Sequence, residues 1–408
     1  MPCIAFFWFR VTDLLPSSES ADCASEKDHA VGKPSHPICT ASQTTALLLL
    51  LAVFALCACT PPEPIRLGFI GGLSGRVADL GQSGRNGFQL AVEQANAAGG
   101  VHGRKIEIIV KDDQQDPARA TRGAEELARA KVAAIIGPMT SAMAEPVLTA
   151  ATTAAIPVVS PTVTTTALTG KDDFFLRVIS DTSAYANLSA SYHFNKNGVR
   201  RIAAVFDTRN RAYTDNWLTA FKKSFSALGG SVVAEIPFES GDATQHDVLL
   251  KQMLATRPDA LLFVSSAVDT ARFAQQAQQL GATQKRISVE WSATEQLIEF
   301  GGKAVDGLFV TQFFDRDDTS PTYLAFRQAY EKRFQASPGF GSLAAYDATR
   351  AVVEALARGD KGVSLKKTLL ERGPYAGAQQ AVSFDRFGDA QRRAFITTIR
   401  DGRFVVVE

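Results

Sequence analysis

The sequence predicts an α/β protein built from two doubly wound lobes. Three observations carry that expectation. Short, uniformly apolar runs such as VAAII and IPVVS alternate with helix-length segments, the pattern of parallel strands covered on both faces. The alternation starts at Ile65 and starts again near Asp181, giving two successive sets of βαβ units of similar length. A chain of 408 residues with 46% apolar side chains is also too long for one ordinary core and long enough for two.

The first residues stand apart from the fold. All five cysteines (Cys3, Cys23, Cys39, Cys57 and Cys59) lie there. The apolar run ALLLLLAVFALCA over 46–58 is too short to span a bilayer and has the length of a signal-peptide core. It ends in Leu56-Cys57-Ala58-Cys59, which resembles the lipobox of bacterial lipoproteins, with small Ala58 before Cys59 and bulky Leu56 disfavouring Cys57. The expectation is a leader over 1–58, a lipid on Cys59, and a polyproline-like tether over 59–64. Residues 1–40 are long and acidic for a signal peptide, so Val31, read from a GTG codon, is the expected start. With Cys59 lipidated, no disulfide can form further along.

IRLGFIGGLSG then reads as a strand ending in glycines. Phe88, Ala91, Val92 and Ala95 follow at helical spacing until Gly99-Gly100. KIEIIVKDD is the next strand, and Asp116-Pro117 supplies an N-cap and a first-turn proline for a helix through Ala130. VAAII, a helix, IPVVS and FFLRVI complete the first set. The second runs from a helix ending at Asn197 through RIAAVFD, a helix from Tyr213 to Leu228, SVVAEIPF, ALLFVS, ISVEW and LFVTQFF, with helices between. Two long helices follow, starting near Ser320 and Ser342. The chain closes in FITTIRDGRFVVVE, where Asp401-Gly402 predicts a two-residue type I′ hairpin.

Ligands in such sheets bind outside the carboxyl ends of the strands. Two adjacent strand ends are rich in hydroxyls: Thr140-Ser141 after VAAII, and Thr162 to Thr166 after IPVVS. Ser141 also opens a helix, where backbone N–H groups and the helix dipole favour an anion. Together they form a seat for a carboxylate, although Ser and Thr in these places also cap helices and fill turns.

Other chemistries find no support. The glycines of GFIGGLSG do not spell the dinucleotide fingerprint, Gly302-Lys303 is followed by Ala304 rather than Ser or Thr, and Gly81-Gln82-Ser83-Gly84 only approaches a nucleophile elbow. His29 and His36 lie in the leader, and His102, His193 and His246 lack ligand spacing. The cluster Asp112, Asp113 and Asp116 fits a strand end entering a capped helix better than a metal. The near-neutral net charge argues neither way on nucleic acid, and with no basic stripe interleaved with aromatics nucleic acid is set aside as a partner. No enzyme, cofactor or metal is implied.

From Ile65 to about Asp385 the chain resembles the type I periplasmic solute-binding proteins of ABC importers, in particular the leucine/isoleucine/valine-binding family. The resemblance rests on IRLGFIGGLSG, GQSGRNGFQLAVEQANAAGGVHGRKIEIIVKDDQQDP, IIGPMTS, IPVVSPTVTTTALT, FFLRV, AYTDN, FAQQAQQLGA and VDGLFVT, in that order and spacing. It implies two lobes that close like a Venus flytrap over a ligand, joined by a three-stranded hinge crossing near Ser180, Phe313 and Gln380. The lobes would be 65–181 with 314–380, and 182–313 with 381–408. It places Ser141 on a ligand carboxylate, Thr164 on carboxylate and ammonium, and the carbonyl of Thr162 on the ammonium. Glu290 would be the acidic partner of that ammonium, and Tyr213 would close over the ligand.

There are departures. Leu80 stands where relatives often carry an aromatic residue beside the ligand, Ser266 replaces a tyrosine of the branched-chain binders, and Trp291 directly follows Glu290. Gln115 and Thr140 occupy the positions of a disulfide found in some members. The backbone-binding end of an amino-acid site is kept while the side-chain pocket is rebuilt. The function implied is a periplasmic, membrane-anchored lipoprotein that binds a small amino acid, branched-chain or related, and delivers it as a monomer to ABC permease subunits. The alternatives of the same fold are a ligand sensor, or an outer-membrane lipoprotein that activates peptidoglycan synthesis without a small ligand.

The leader yields the first prediction. Two or three acyl chains anchor a protein stably where one is marginal, so Cys59→Ser should move the protein from the membrane to the soluble fraction. Retention of the variant on membranes would refute the lipobox.

Overall fold

The computed structural model describes residues 62–408. The expected leader 1–58, Cys59 and the first tether residues fall outside them. Among the described residues no helix is long and apolar enough to cross a membrane.

The first sheet is built around β1 (Ile65–Gly71), paired in parallel with β2 (Ile106–Asp112) on one side and β3 (Ala134–Ile136) on the other. β4 (Val158–Ser160) and β5 (Phe175–Arg177) extend it in the order β2-β1-β3-β4-β5. Alternate side chains leave β1 on opposite faces, and both faces are covered. Leu67 and Phe69 join Phe88, Ala91 and Val92 of α1 (Ala78–Ala97) in one core. Ile70 joins Ala120, Ala124 and Leu127 of α2 (Pro117–Arg129) and Val147 of α3 (Ala144–Thr153) in another. The α2 start forms as the sequence predicts, with Asp116 accepting from Arg119 N at 2.8 Å and Pro117 in the first turn. Asp112 accepts from Leu73 N and Ser74 Oγ, and Asp113 from Gln115 N, so the acidic cluster organises loops.

The second sheet has seven strands in the order β12-β11-β10-β9-β8-β6-β7. β6 (Arg201–Asp207), β7 (Ser231–Phe238), β8 (Ala260–Val264), β9 (Lys285–Ser288) and β10 (Phe309–Gln312) are parallel. β11 (Phe395–Arg400) and β12 (Arg403–Val406) add an antiparallel hairpin. Its turn is the expected one, with φ of 48° at Asp401 and 69° at Gly402. Around this sheet lie α4 (Thr182–Asn195), α5 (Arg211–Ala227), α6 (His246–Ala255), α7 (Ala267–Gln279) and α8 (Glu295–Gly301). Trp217, Phe221 and Phe225 stack successively along the buried face of α5.

From β10 the chain enters α9 (Pro321–Phe334), α10 (Phe340–Arg358) and α11 (Leu365–Glu371). α10 starts slightly before the expected Ser342 and packs along α1. There a Cβ on Gly87 would lie 2.0 Å from Ser342 O, so only glycine permits the approach. Arg177 then holds the following segment against β5, its N donating to Gly388 O at 3.0 Å and its Nε to Asp389 Oδ1 at 2.8 Å.

The segments joining the two sheets are tied to one another. Arg392 N donates to Ser180 Oγ at 2.8 Å, and Ser180 Oγ donates back to Arg392 O at 3.1 Å. Within the second sheet, next to these segments, Gln312 Nε2 of β10 donates to Thr397 Oγ1 of β11 at 2.7 Å. Arg392 also pairs with Asp347 of α10 at 2.5 Å, their side chains 1% and 0% exposed. Asp347 further accepts from Ala378 N at 2.7 Å.

Removing one member of a buried pair leaves the other charged and unpaired, at a cost of roughly 3–5 kcal/mol. Arg392→Met should therefore lower unfolding stability by about that amount. Adding Asp347→Leu should restore most of it. Urea unfolding of the two variants checks both halves, and an unchanged Arg392→Met midpoint would show that the pair stabilises nothing.

Candidate functional site

The carboxyl ends of the two sheets face each other across a narrow cavity lined from both sides. In the first sheet the strand order reverses at β1, and the loops after β1, β3 and β4 supply that side, where ligands seat in open α/β sheets. Ser141 opens a one-turn 3-10 helix, Ser141–Met143, that leads into α3. The two hydroxyl-rich loops are zipped together. Thr162 Oγ1 donates to Met139 O at 2.6 Å, and Thr164 N donates to Ser141 Oγ at 3.3 Å. Behind them Thr182 Oγ1 donates to Thr164 O at 2.7 Å. Ser141 is 4% and Thr164 1% exposed, so their polar atoms are held in place and shielded from bulk water.

The facing wall comes from the second sheet. Tyr213 is on α5 after β6, Glu290 and Trp291 are in the 3-10 turn Glu290–Ser292 after β9, and Phe313 follows β10. Glu290 Oε2 accepts from Trp217 Nε1 at 3.1 Å, whereas its Oε1 has no partner among the described residues. Tyr213 O–H lies near that carboxyl without completing a hydrogen bond. Burial pushes the Glu290 carboxyl up to about 7, against the opposing pull of its own N–H, Tyr213 and Trp217. Tyr213 and Trp291 meet edge to face at 5.7 Å.

Polar contacts also run directly between the two sides. Asn210 Oδ1 accepts from Ala142 N at 3.0 Å, and Asn216 Oδ1 from Thr166 N at 2.8 Å. Thr294 Oγ1 donates to Asp79 Oδ2 at 2.5 Å, in a site where burial raises the Asp79 pKa. Arg76 reaches over to Asp269 Oδ1 at 3.0 Å.

Seven of the eight residues expected at a ligand line this one cavity: Leu80, Ser141, Thr162, Thr164, Tyr213, Glu290 and Trp291. Ser266 does not. It caps α7, its Oγ donating to Asp269 Oδ2 at 2.9 Å, and so supports the carboxylate that Arg76 and His246 also engage. The sequence reading missed Met139, Ile179, Asn210, Phe313 and Phe340, which line the same cavity. Ile179 and Phe313 immediately follow strands at the expected crossings, a position that signals them. Asn210 and Phe340 carry no such signal. Among the described residues no three His, Cys, Asp or Glu side chains converge as metal ligands.

A family model for periplasmic binding proteins matches residues 64–403. The chain is 24% identical to a Leu/Ile/Val-binding protein of Rhizobium johnstonii over 358 residues, 87% of this chain and 96% of that one. It superposes on the branched-chain amino acid substrate-binding protein of Streptococcus pneumoniae, solved with isoleucine, with a TM-score of 0.78 at 24% identity, covering 84% of this chain and 99% of the other. A solute-binding protein of Rhodopseudomonas palustris, solved with 3,4-dihydroxybenzoic acid, aligns with a TM-score of 0.75 at 24% identity, over 84% and 95% of the chains.

The Glu290 carboxyl makes the cavity's charge depend on pH. A cation beside Oε1 needs the ionised form, so below pH 7 its binding must expel a proton. Affinity for an amine-bearing ligand should then fall about tenfold for each pH unit below 7 and level off above it. Calorimetric titration from pH 5 to 8 checks this, and a flat profile would place the cation elsewhere.

Proposed function

The chain belongs to the periplasmic binding protein family, and from that premise we propose that it is the extracytoplasmic substrate-binding protein of an ABC importer, taking a small amino acid between its lobes. The observation that carries this reading is Glu290 Oε1, a buried carboxyl oxygen without a partner, in a wall facing the donors of Ser141 and Thr164. An α-amino acid has one charge for each side: a carboxylate for the hydroxyl loops and an ammonium for Glu290. Ser141 and Thr164 alone would hold any carboxylate. Only the anion opposite them calls for an amine, which distinguishes this ligand class from the plain aromatic acid bound by the Rhodopseudomonas protein.

Apart from Thr140 and Asn210 the remaining lining is apolar, through Leu80, Met139, Ile179, Trp291, Phe313 and Phe340, and this favours an uncharged side chain. Tyr213 and Trp291 would close over it. We place the first and second crossings near Ser180 and Phe313, as expected from the sequence. The third we place at Arg392 rather than around Gln380, because Gly388 and Asp389 still bond to β5. The lipid on Cys59 and docking on permease subunits complete the proposal. The relatives' printed names support the amino acid, and the sequence motif supports the lipid.

Thermal unfolding against an amino-acid panel tests the ligand class, once co-purified ligand has been removed by unfolding. Ligand at a hundredfold excess over Kd adds about 2.7 kcal/mol, a rise of at least several degrees at roughly 2–4 °C per kcal/mol. Glu290→Ala should abolish binding, at roughly 3–5 kcal/mol or about a hundred- to several-thousandfold in affinity. Ser141→Ala should cost less, about 1.5–3 kcal/mol, because its N–H remains. A panel in which only deaminated acids raise the melting temperature would overturn the amino-acid assignment.

A further inference from the structure

The three glycines of GQSGRNG in α1 have different neighbours. A Cβ on Gly81 would lie 2.0 Å from Gly72 O, and one on Gly87 would lie 2.0 Å from Ser342 O. Both are backbone approaches that no side-chain rearrangement relieves. A Cβ on Gly84 would meet the far end of Met139, with Cε at 2.5 Å and Sδ at 2.8 Å, and beyond it Phe69 Cζ at 3.4 Å. Gly81 and Gly87 are bare so that backbones can pass. Gly84 is bare so that Met139 can lie on it.

Met139 is enclosed on its other flanks as well. A Cβ on Gly71 would fall 2.7 Å from its Cγ, and one on Gly341 would fall 3.6 Å from its Cε. Thr162 Oγ1 stands 3.9 Å from its Sδ. Another side faces the cavity, which Met139 lines together with Leu80. Methionine is unbranched and bends at three bonds, so it can shift where Leu or Ile would jam. Displaced from Gly84, it has the cavity to move into.

We propose that Met139 is the specificity-determining wall of the ligand's side-chain pocket, and that Gly84, which does not line this cavity, sets how deep that wall lies. This rests on the cavity being the ligand site proposed above. Filling the space at Gly84 drives the Met139 thioether into the cavity and shortens the pocket. Truncating Met139 deepens it. A single methylene in an apolar pocket changes affinity about ten- to two-hundredfold, so either change should reorder ligands by size rather than weaken all of them alike.

The experiment titrates wild type, Gly84→Ala and Met139→Ala calorimetrically with two matched series: alanine, valine, leucine and phenylalanine, and the deaminated acids with the same side chains. Gly84→Ala should weaken the leucine and phenylalanine members relative to the alanine member by about tenfold or more. Met139→Ala should shift the ratio the opposite way. If both variants change every member of a series by one common factor, Met139 acts on lobe closure and the inference is overturned. Binding of the acids but not the amino acids by wild type would overturn the amino-acid reading, while the acid series still decides the role of Met139. Binding of neither series would overturn both. Should Met139→Ala fail to fold, Gly84→Ala decides alone, since its new methyl meets a flexible side-chain end.

Discussion

A carboxyl group sealed in an apolar cavity with one oxygen unpartnered carries a desolvation cost that the surrounding structure has to absorb. Glu290 is that group here. Trp217, fixed in the stack along α5, donates to one oxygen and orients the carboxyl. The short turn that starts at Glu290 anchors the backbone beneath it, and the Tyr213–Trp291 edge-to-face pair screens it from the solvent. The polar groups on the opposite side, Ser141, Thr162 and Thr164, are neutral. Ser141 and Thr164 are oriented by bonds among their own loops, so an anion bound there would need little reorganisation of them. The second lobe contributes the charge and the first contributes the dipoles.

Much of this was legible in the chain because the strands are short and apolar throughout. VAAII, IPVVS and ALLFVS leave no choice of face, so they had to be interior strands, and the loops after the first two line the cavity. The I′ hairpin at Asp401-Gly402 and the capped start at Asp116-Pro117 were local signals, and the structure keeps both. The walls of the cavity were harder to see. Phe340 and Asn210 are brought to the cavity by tertiary packing and carry no local pattern that marks them. Ser266 shows the opposite failure. Its match to a tyrosine of the branched-chain binders suggested a ligand contact, but a serine at a strand end can equally cap the next helix, and Asp269 in that first turn takes its hydroxyl.

The joint between the lobes is held by buried polar contacts. Arg392 and Asp347 are both buried, and Ser180 knots two of the crossing segments together. Buried polar groups of this kind add little net stability compared with apolar packing, but they accept few alternative arrangements. A greasy joint would slide. One built from directional bonds returns to the same geometry each time it bends, which suits a molecule whose two halves must meet in register around Asn210 and Asn216.

The position of β1 has a mechanical consequence. It is an interior strand of its sheet, between β2 and β3, it leads into the cavity at its carboxyl end, and the chain upstream enters at the other end. Seven residues at about 3.3 Å each separate that entry from the cavity mouth by roughly 20 Å. Any tension on residues 62–64 is therefore applied along the strand axis, with β2 and β3 gripping it from both sides. The ladder bonds on either flank would share such a load in shear instead of opening one after another. A pull on the upstream chain thus enters the sheet one strand length from the cavity and is met by β2 and β3 together.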